Sequence, residues 1–239
     1  MRHQPQPNTP APTAPTAADY PPAYFRAQMS KSDAKIAWQY GRIMGLARAP
    51  RLAGRTLVDV GCGSGPALRY SVAHGARAIG LDHSHFALQV AQQIAPRAFV
   101  IVNDSTSGLP CASASADLML LSELVEHVPD AMPLLRECWR VLKPGGRIII
   151  TTPNLWDVRR ALAPLTGQVW SGDTDPTHIN LYTPPRLARE LRAAGFAQVR
   201  WHTGVKPAKW LSSRRLRMRL ALPYPPLIGN GLLATGVRP

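Results

Sequence analysis

The sequence predicts an α/β domain: a doubly wound, largely parallel open sheet with helices on both faces. Three observations predict it. Short apolar runs alternate with stretches of helical periodicity from about residue 30 onward. The first apolar run ends in a glycine-rich loop that leads straight into a helical pattern. A chain of 239 residues, 45% hydrophobic and 18% charged, suits one domain with a sizeable core and excludes wholesale disorder.

Residues 1–29 read as a disordered leader, since seven of the 24 prolines fall in the first 22 residues among Ala and Thr. Residues 30–239 read as the folded domain. Ser30 followed by Asp33 predicts a helix start, and Ile36, Tyr40, Ile43, Met44 and Ala47 keep helical spacing behind it. Strands are predicted at Thr56–Val60, Arg77–Leu81, Ala98–Val102, Asp117–Ser122 and Arg147–Thr152. Helices are predicted near Gly65–Ala73, Ser84–Ala95, Asp130–Leu142 and Pro184–Ala194, with Thr183 as cap of the last. Leu220 to Val237 is 18 residues without a charge. Its prolines and glycines break any continuous helix, so the reading is loop plus a closing strand, Gly231–Val237.

Lys+Arg outnumber Asp+Glu by 28 to 14, a formal net charge of +14. That balance suits an anionic partner, whether nucleic acid, a membrane surface or a phosphorylated metabolite. An Arg-rich genome produces the same balance. Nine of the basic residues lie after Glu190 with no acid among them, and six of these fall between Lys206 and Arg219, in a basic insertion spanning about 204–230. The three cysteines, Cys62, Cys111 and Cys138, are scattered without a C-x-x-C pair, which argues against a disulfide framework or thiolate zinc site. No secretory signal is visible, and a cytoplasmic location is expected.

The chemistry begins at Val58-Asp59-Val60-Gly61-Cys62-Gly63-Ser64-Gly65. Glycine at every second place lets the backbone turn tightly and approach a ligand at the carboxyl end of the first strand. Asp59 puts a negative charge beside that loop, which would repel a pyrophosphate and suits a cationic ligand. Asp82, ending the second strand, can accept hydrogen bonds from both hydroxyls of a ribose. Asp104, in Asn103-Asp104-Ser105 after the third strand, can accept from an adenine amino group.

With these residues in order, the chain resembles the class I S-adenosylmethionine-dependent methyltransferases. The resemblance also rests on Asp117 to Asp130 and on Leu142-Lys143-Pro144-Gly145-Gly146-Arg147. It implies a Rossmann-like seven-stranded sheet whose last strand is antiparallel, completed here by segments 197–203 and 231–237. It implies that Gly61, Gly63 and Gly65 pack against the methionine and ribose of S-adenosylmethionine, that Asp82 binds the ribose, and that His83 and Asp104 flank the adenine. Asp59, Cys62, Ser105 and Ser122 complete the cofactor set. A doubly wound domain with another ligand is the alternative.

Glu123-Leu124-Val125-Glu126-His127 follows the fourth strand. In a helical turn, positions 123, 126 and 127 share one face. Two carboxylates and an imidazole there can bind a divalent cation such as Mg, Mn or Zn, with His178 as the fourth ligand. The pattern resembles the ubiquinone-biosynthesis O-methyltransferases and the small-RNA 3′-terminal 2′-O-methyltransferases. Both imply a metal that holds the acceptor hydroxyl. The alternative is that His127 caps a turn or lines the acceptor pocket and that Glu123 lies beside the cationic methionine end of the cofactor. The Arg- and His-rich signature of the RNA group is absent after the fifth strand, where Thr152-Pro153-Asn154-Leu155-Trp156-Asp157 stands instead. Nucleic acid therefore ranks below a small-molecule acceptor.

Asn154 to Thr183, with Trp156, Trp170 and Tyr182, and Gly204 to Asn230 are expected to build the acceptor side, with the aromatics either covering the acceptor or simply packing. The basic insertion suits peripheral contact with anionic lipid, nucleic-acid backbone or a phosphorylated sugar, or is a solvated face. The expected activity is methyl transfer from S-adenosylmethionine to a small-molecule oxygen, with Glu123, Glu126, His127 and His178 orienting or deprotonating the acceptor. The alternatives are an RNA-directed methyltransferase and a non-catalytic cofactor-binding protein recruited through its basic tail.

Overall fold

The computed structural model describes residues 32–105, 107–167, 169, 170, 172–204, 229 and 231–239. The leader 1–29, the Ser30 cap and all but the ends of the basic insertion lie outside the described residues. The first helix among the described residues, α1 (Asp33–Leu46), is capped by Ser32, whose Oγ accepts from the Lys35 N–H, so the cap is two residues later than the sequence suggested.

The chain then runs β1 (Thr56–Val60), α2 (Pro66–Ala73), β2 (Arg77–Asp82), α3 (His85–Ile94), β3 (Phe99–Val102) and β4 (Ala116–Ser122). A short 3₁₀ turn (Val125–His127) leads to α4 (Met132–Val141), β5 (Leu142–Pro153), α5 (Val158–Thr166), α6 (Pro184–Ala193), β6 (Ala197–Thr203) and β7 (Gly231–Val237). The strand order is β3-β2-β1-β4-β5-β7-β6, with β7 antiparallel to both its neighbours and the other pairings parallel. The order reverses between β1 and β4, so the carboxyl ends of those two strands open the crevice in which ligands bind in such sheets.

Strand β5 starts five residues before the expected Arg147. Gly145, at φ +78°, accommodates a bulge against β4, and Gly145 and Gly146 pair with Arg238 beyond β7. The two faces of the sheet carry different helices. On one, Ile36, Tyr40, Ile43 and Met44 of α1 pack on Leu57, Leu118, Leu120 and Ile149, with α2 and α3 alongside through Leu68, Leu88 and Ala91. On the other, Leu134, Leu135 and Cys138 of α4 and Leu187 and Leu191 of α6 cover Val58, Val60, Met119, Leu121, Ile148 and Ile150. The central strands β1 and β4 are largely buried on both faces, which is why their apolar residues do not alternate strictly with polar ones.

Candidate active site

Gly61, Gly63 and Gly65 all take positive φ, at 71°, 51° and 79°, a region that other residues enter only with strain. Gly61 and Gly65 also have no room for a side chain. A Cβ would lie 2.9 Å from the Leu124 side chain at Gly61 and 2.9 Å from Ala91 Cβ at Gly65. The first contact locks the loop against the segment after β4; the second lets α2 and α3 approach.

Asp82 ties the loop to β2. Its Oδ2 accepts from the Gly63 N–H at 2.8 Å and its Oδ1 from the Ser84 N–H at 2.9 Å, in a buried position. Each carboxylate oxygen keeps a further acceptor site. His83 lies alongside, with Nδ1 3.9 Å from Asp82 Oδ1. Asp104 is exposed at the end of β3, its carbonyl accepting from Ser107, and Ser105 next to it is half-buried.

Asp59 is buried, and its Oδ1 has no hydrogen-bond partner among the described residues. Burial, and after it the charge of Asp82, pushes its carboxyl well above the usual range. A buried carboxylate left short of partners beside a glycine loop is the feature a cationic ligand would relieve. Cys62 is buried too; burial, then the charges of Asp59 and Asp82, raises its thiol, which makes it a packing residue rather than a nucleophile.

Ser122 Oγ lies 3.1 Å from Thr151 Oγ1 and also hydrogen-bonds the Tyr40 hydroxyl. Tyr40 thus reaches from α1 to the mouth of the sheet. Burial first, then the Asp59 and Glu123 charges, raises its hydroxyl, keeping it protonated. Sequence periodicity placed Tyr40 on the core face of α1, and nothing local marked its hydroxyl as a site group.

The segment after β4 differs from the expected helical turn. Glu123 takes φ +56° and its N–H bonds the Thr151 carbonyl, so it precedes the 3₁₀ turn rather than beginning a helix. The one-face spacing of positions 123, 126 and 127 is therefore lost. Glu126, His127 and His178 instead come together, each with a ligating atom within 4.8 Å of the others, and Glu123 is not one of that group. Glu126 is fully buried and His127 nearly so.

Backbone carbonyls orient both imidazoles. His127 Nδ1 lies 3.0 Å from the Thr177 carbonyl and His178 Nδ1 lies 2.7 Å from the Gly172 carbonyl. A ring nitrogen facing a carbonyl must carry the proton, which leaves each Nε2 as the lone-pair atom. The rings stand 4.9 Å apart, and Asp175 Oδ2 is 3.8 Å from His178 Nε2. Burial, more than the neighbouring His178, lowers the pKa of His127 and keeps it neutral at pH 7.

Asn180, missed in the sequence, fastens the two segments. Its N–H donates to the Glu126 carbonyl at 2.9 Å and its Nδ2 to the Val128 carbonyl at 3.0 Å. Of the three aromatics expected on the acceptor side, Tyr182 is buried with its hydroxyl accepting from Asn180, and Trp170 is buried with Nε1 donating to Asp157. Both are packing residues. Trp156 alone of the three is exposed.

A family model described as a methyltransferase domain matches residues 58–150, from the glycine loop through β5. The ubiquinone biosynthesis O-methyltransferase of Ralstonia nicotianae is 31% identical over 190 residues, 77% of this chain and 77% of that protein. The protein of the same name from Cupriavidus pinatubonensis is 31% identical over 152 residues, 60% of this chain and 61% of its own. The chain spans between 45% and 77% of the length of such relatives. Among solved structures, a SAM-dependent methyltransferase from Aquifex aeolicus aligns with a TM-score of 0.63 at 14% identity, over 92% of this chain and 100% of that one. An S-adenosylmethionine-dependent methyltransferase from Mesorhizobium loti aligns with a TM-score of 0.59 at 23% identity, over 84% and 100%. These two show the fold. Together with the strand order, the glycine loop held by Asp82 and the relative that matches along most of its length, they decide the family: this chain belongs to the S-adenosylmethionine-dependent methyltransferases.

Proposed function

We propose that the chain methylates an oxygen of a small acceptor, of quinol, catechol, lipid or sugar-like type, between the glycine loop and the Glu126, His127 and His178 group. One observation carries this reading: Leu124, flanked by Glu123 and Val125, packs against Gly61, so the two candidate sites share one edge of the sheet. Relatives named for O-methylation support oxygen as the receiving atom.

S-adenosylmethionine supplies a methyl group on a cationic sulfur, which the acceptor oxygen attacks in line. Asp82 accepts from the ribose hydroxyls while its bonds to Gly63 and Ser84 hold the loop in place, and Asp104 and His83 flank the adenine. Asp59, with Tyr40 and Ser122 beside it, has its carboxyl pushed up by burial in the free chain and would ionise opposite the cationic sulfonium end. His127, neutral and with Nδ1 engaged, takes the acceptor proton at Nε2.

The residues at this place also fit a divalent ion. One carboxylate and two imidazoles make a mixed N/O donor set that suits zinc or manganese better than magnesium, and an ion held by Glu126, His127 and His178 would acidify a bound hydroxyl. The test is transfer of labelled methyl to a panel of catechols and quinols, with chelator and with each metal restored. Turnover is expected on this panel, and Glu126→Gln should lower it about a hundredfold or more. Transfer confined to RNA or to amines would overturn the reading. Full activity in chelator would remove the metal alone.

A second observation favours an acceptor taken from an anionic lipid surface. No described side chain of α5 is buried, and Trp156, Val158, Leu162, Leu165 and Val169 are all exposed, Leu165 by 82%. Asn154 Nδ2 bonds the Gly229 carbonyl, so the segment 205–228, with its six basic residues, rejoins the described chain at the base of this apolar helix. An exposed apolar helix, in a chain that carries six basic residues between Lys206 and Arg219, suits an interfacial anchor. The chain should co-sediment with phosphatidylglycerol vesicles far more than with phosphatidylcholine vesicles, and Leu162→Glu with Leu165→Glu should weaken this about tenfold. Equal binding to both vesicles, or none, would sink the idea.

A further inference from the structure

The far edge of the sheet from β6 is β3, whose four residues Phe99-Val100-Ile101-Val102 include no charge and no proline. Natural sheets guard exposed edges with such residues or with bulges, because unpaired backbone groups invite another strand. Here the side chains are open as well: Phe99 is 69% exposed, Ile101 37% and Val102 45%. The topology gives the reason. Phe99 and Ile101 lie opposite Ile79 and Leu81 in parallel register, on the face that α4 and α6 cover farther in. The described residues of the connection 103–115 form no helix, and although Leu109 joins the core on this face, Phe99 and Ile101 remain exposed. On the opposite face, Val100 packs beside Ala91 and Ala95.

The backbone edge is equally defined. The Asn103 N–H bonds the Asp82 carbonyl, so by the alternation of a strand Phe99 and Ile101 also turn their polar groups toward β2. Val100 and Val102 therefore turn theirs outward, and among the described residues no strand pairs with them.

We propose that β3 is a self-association edge, at which two copies of this chain pair antiparallel about a two-fold axis through Val100 and join their sheets. A two-fold axis normal to the sheet keeps like faces together. With Val100 on the axis, the two Val100 residues exchange N–H···O bonds, and Phe99 of each copy stands opposite Ile101 of the other. Aromatic and β-branched side chains opposite one another are a favourable cross-strand pair, here formed twice. Charge selects the same arrangement. Exposed Arg97 precedes the strand and exposed Asp104 follows it, so antiparallel copies set the basic entry of one beside the acidic exit of the other. A parallel pairing would set like charges together.

The test is the mass of the full chain by light scattering over a concentration series from about 1 to 100 µM. A shift from one copy to two is expected across that range. Phe99→Lys and Ile101→Lys should each move the midpoint at least about tenfold higher, with circular dichroism and cofactor binding unchanged. Val100→Pro, which removes the outward N–H, should do the same. A single copy throughout, as when residues 1–31 of the same chain cover β3, would overturn the proposal. So would a dimer whose midpoint ignores both lysine variants.

Discussion

Asp82→Ala should weaken S-adenosylmethionine binding by about 10²- to 10⁴-fold. The carboxylate acts on both sides of the site. Toward the protein it accepts from the Gly63 and Ser84 N–H groups, so its removal leaves a left-handed glycine loop without its tether to β2. In the proposed role it would also offer two oxygens to a ribose diol. Hydrogen bonds to a charged group contribute about 1.5–3 kcal/mol each. Two of them lost amount to about 3–6 kcal/mol, and each 1.4 kcal/mol is about tenfold in affinity. Asp82→Asn keeps an acceptor oxygen without the charge and should fall between. Calorimetry with S-adenosylmethionine and its demethylated product checks the series, and thermal unfolding shows whether the variants remain folded. A dissociation constant within about threefold of the parent in Asp82→Ala would mean that the ribose lies elsewhere.

His127→Ala should act on turnover rather than on the cofactor. A positioned base contributes about 10²- to 10⁴-fold, so kcat should fall by that factor while cofactor affinity stays near the parent value. The pH profile carries the sign. Burial disfavours the imidazolium, so His127 stays neutral, and able to take a proton, below the pH at which a free histidine charges. Activity should therefore persist as pH falls through 6.5 and decline only through the lowered value. That limb should vanish in His127→Ala. Stability follows the same linkage. The unfolded chain binds its proton near pH 6.5 and the folded one only lower, so the stability tied to neutral His127 is full above 6.5 and is lost as pH falls below it. An acid limb unchanged in His127→Ala would exclude His127 as the base. A limb that moves on addition of chelator would assign it to a metal instead.

Much of the glycine-loop geometry was legible in the residues because its signals are contiguous. A strand, a glycine loop and a carboxylate at the next strand's end each occupy a few neighbouring positions, and the backbone geometry that they require is local. Gly61, Gly63 and Gly65 adopt the left-handed backbone that their spacing suggested, and Asp82 stands at the loop. Strand positions were legible for a related reason: β1 and β4 are largely buried on both faces and announce themselves as predominantly apolar runs. The last strand's antiparallel insertion rested on family resemblance, since nothing in Gly231–Val237 states which neighbour it will pair with.

The acceptor side was less legible. Glu123, Glu126 and His127 have the spacing of one helical face, but the chain enters a 3₁₀ turn after a left-handed Glu123, with Leu124 seated on Gly61. Tyr40 and Asn180 look like ordinary core and loop residues until packing brings their polar atoms to the site.

By itself, then, the sequence determined the fold class, the order of the elements and the left-handed glycine loop after β1, because local periodicity and glycine geometry decide these. Only the tertiary structure decided that Glu126, His127 and His178 converge without Glu123, and that Trp170 and Tyr182 pack instead of lining a pocket. It also decided that β3 is left uncovered at the sheet's edge. Each of these depends on contacts between residues tens of positions apart, and which side chains meet there is set by burial and register across the whole sheet.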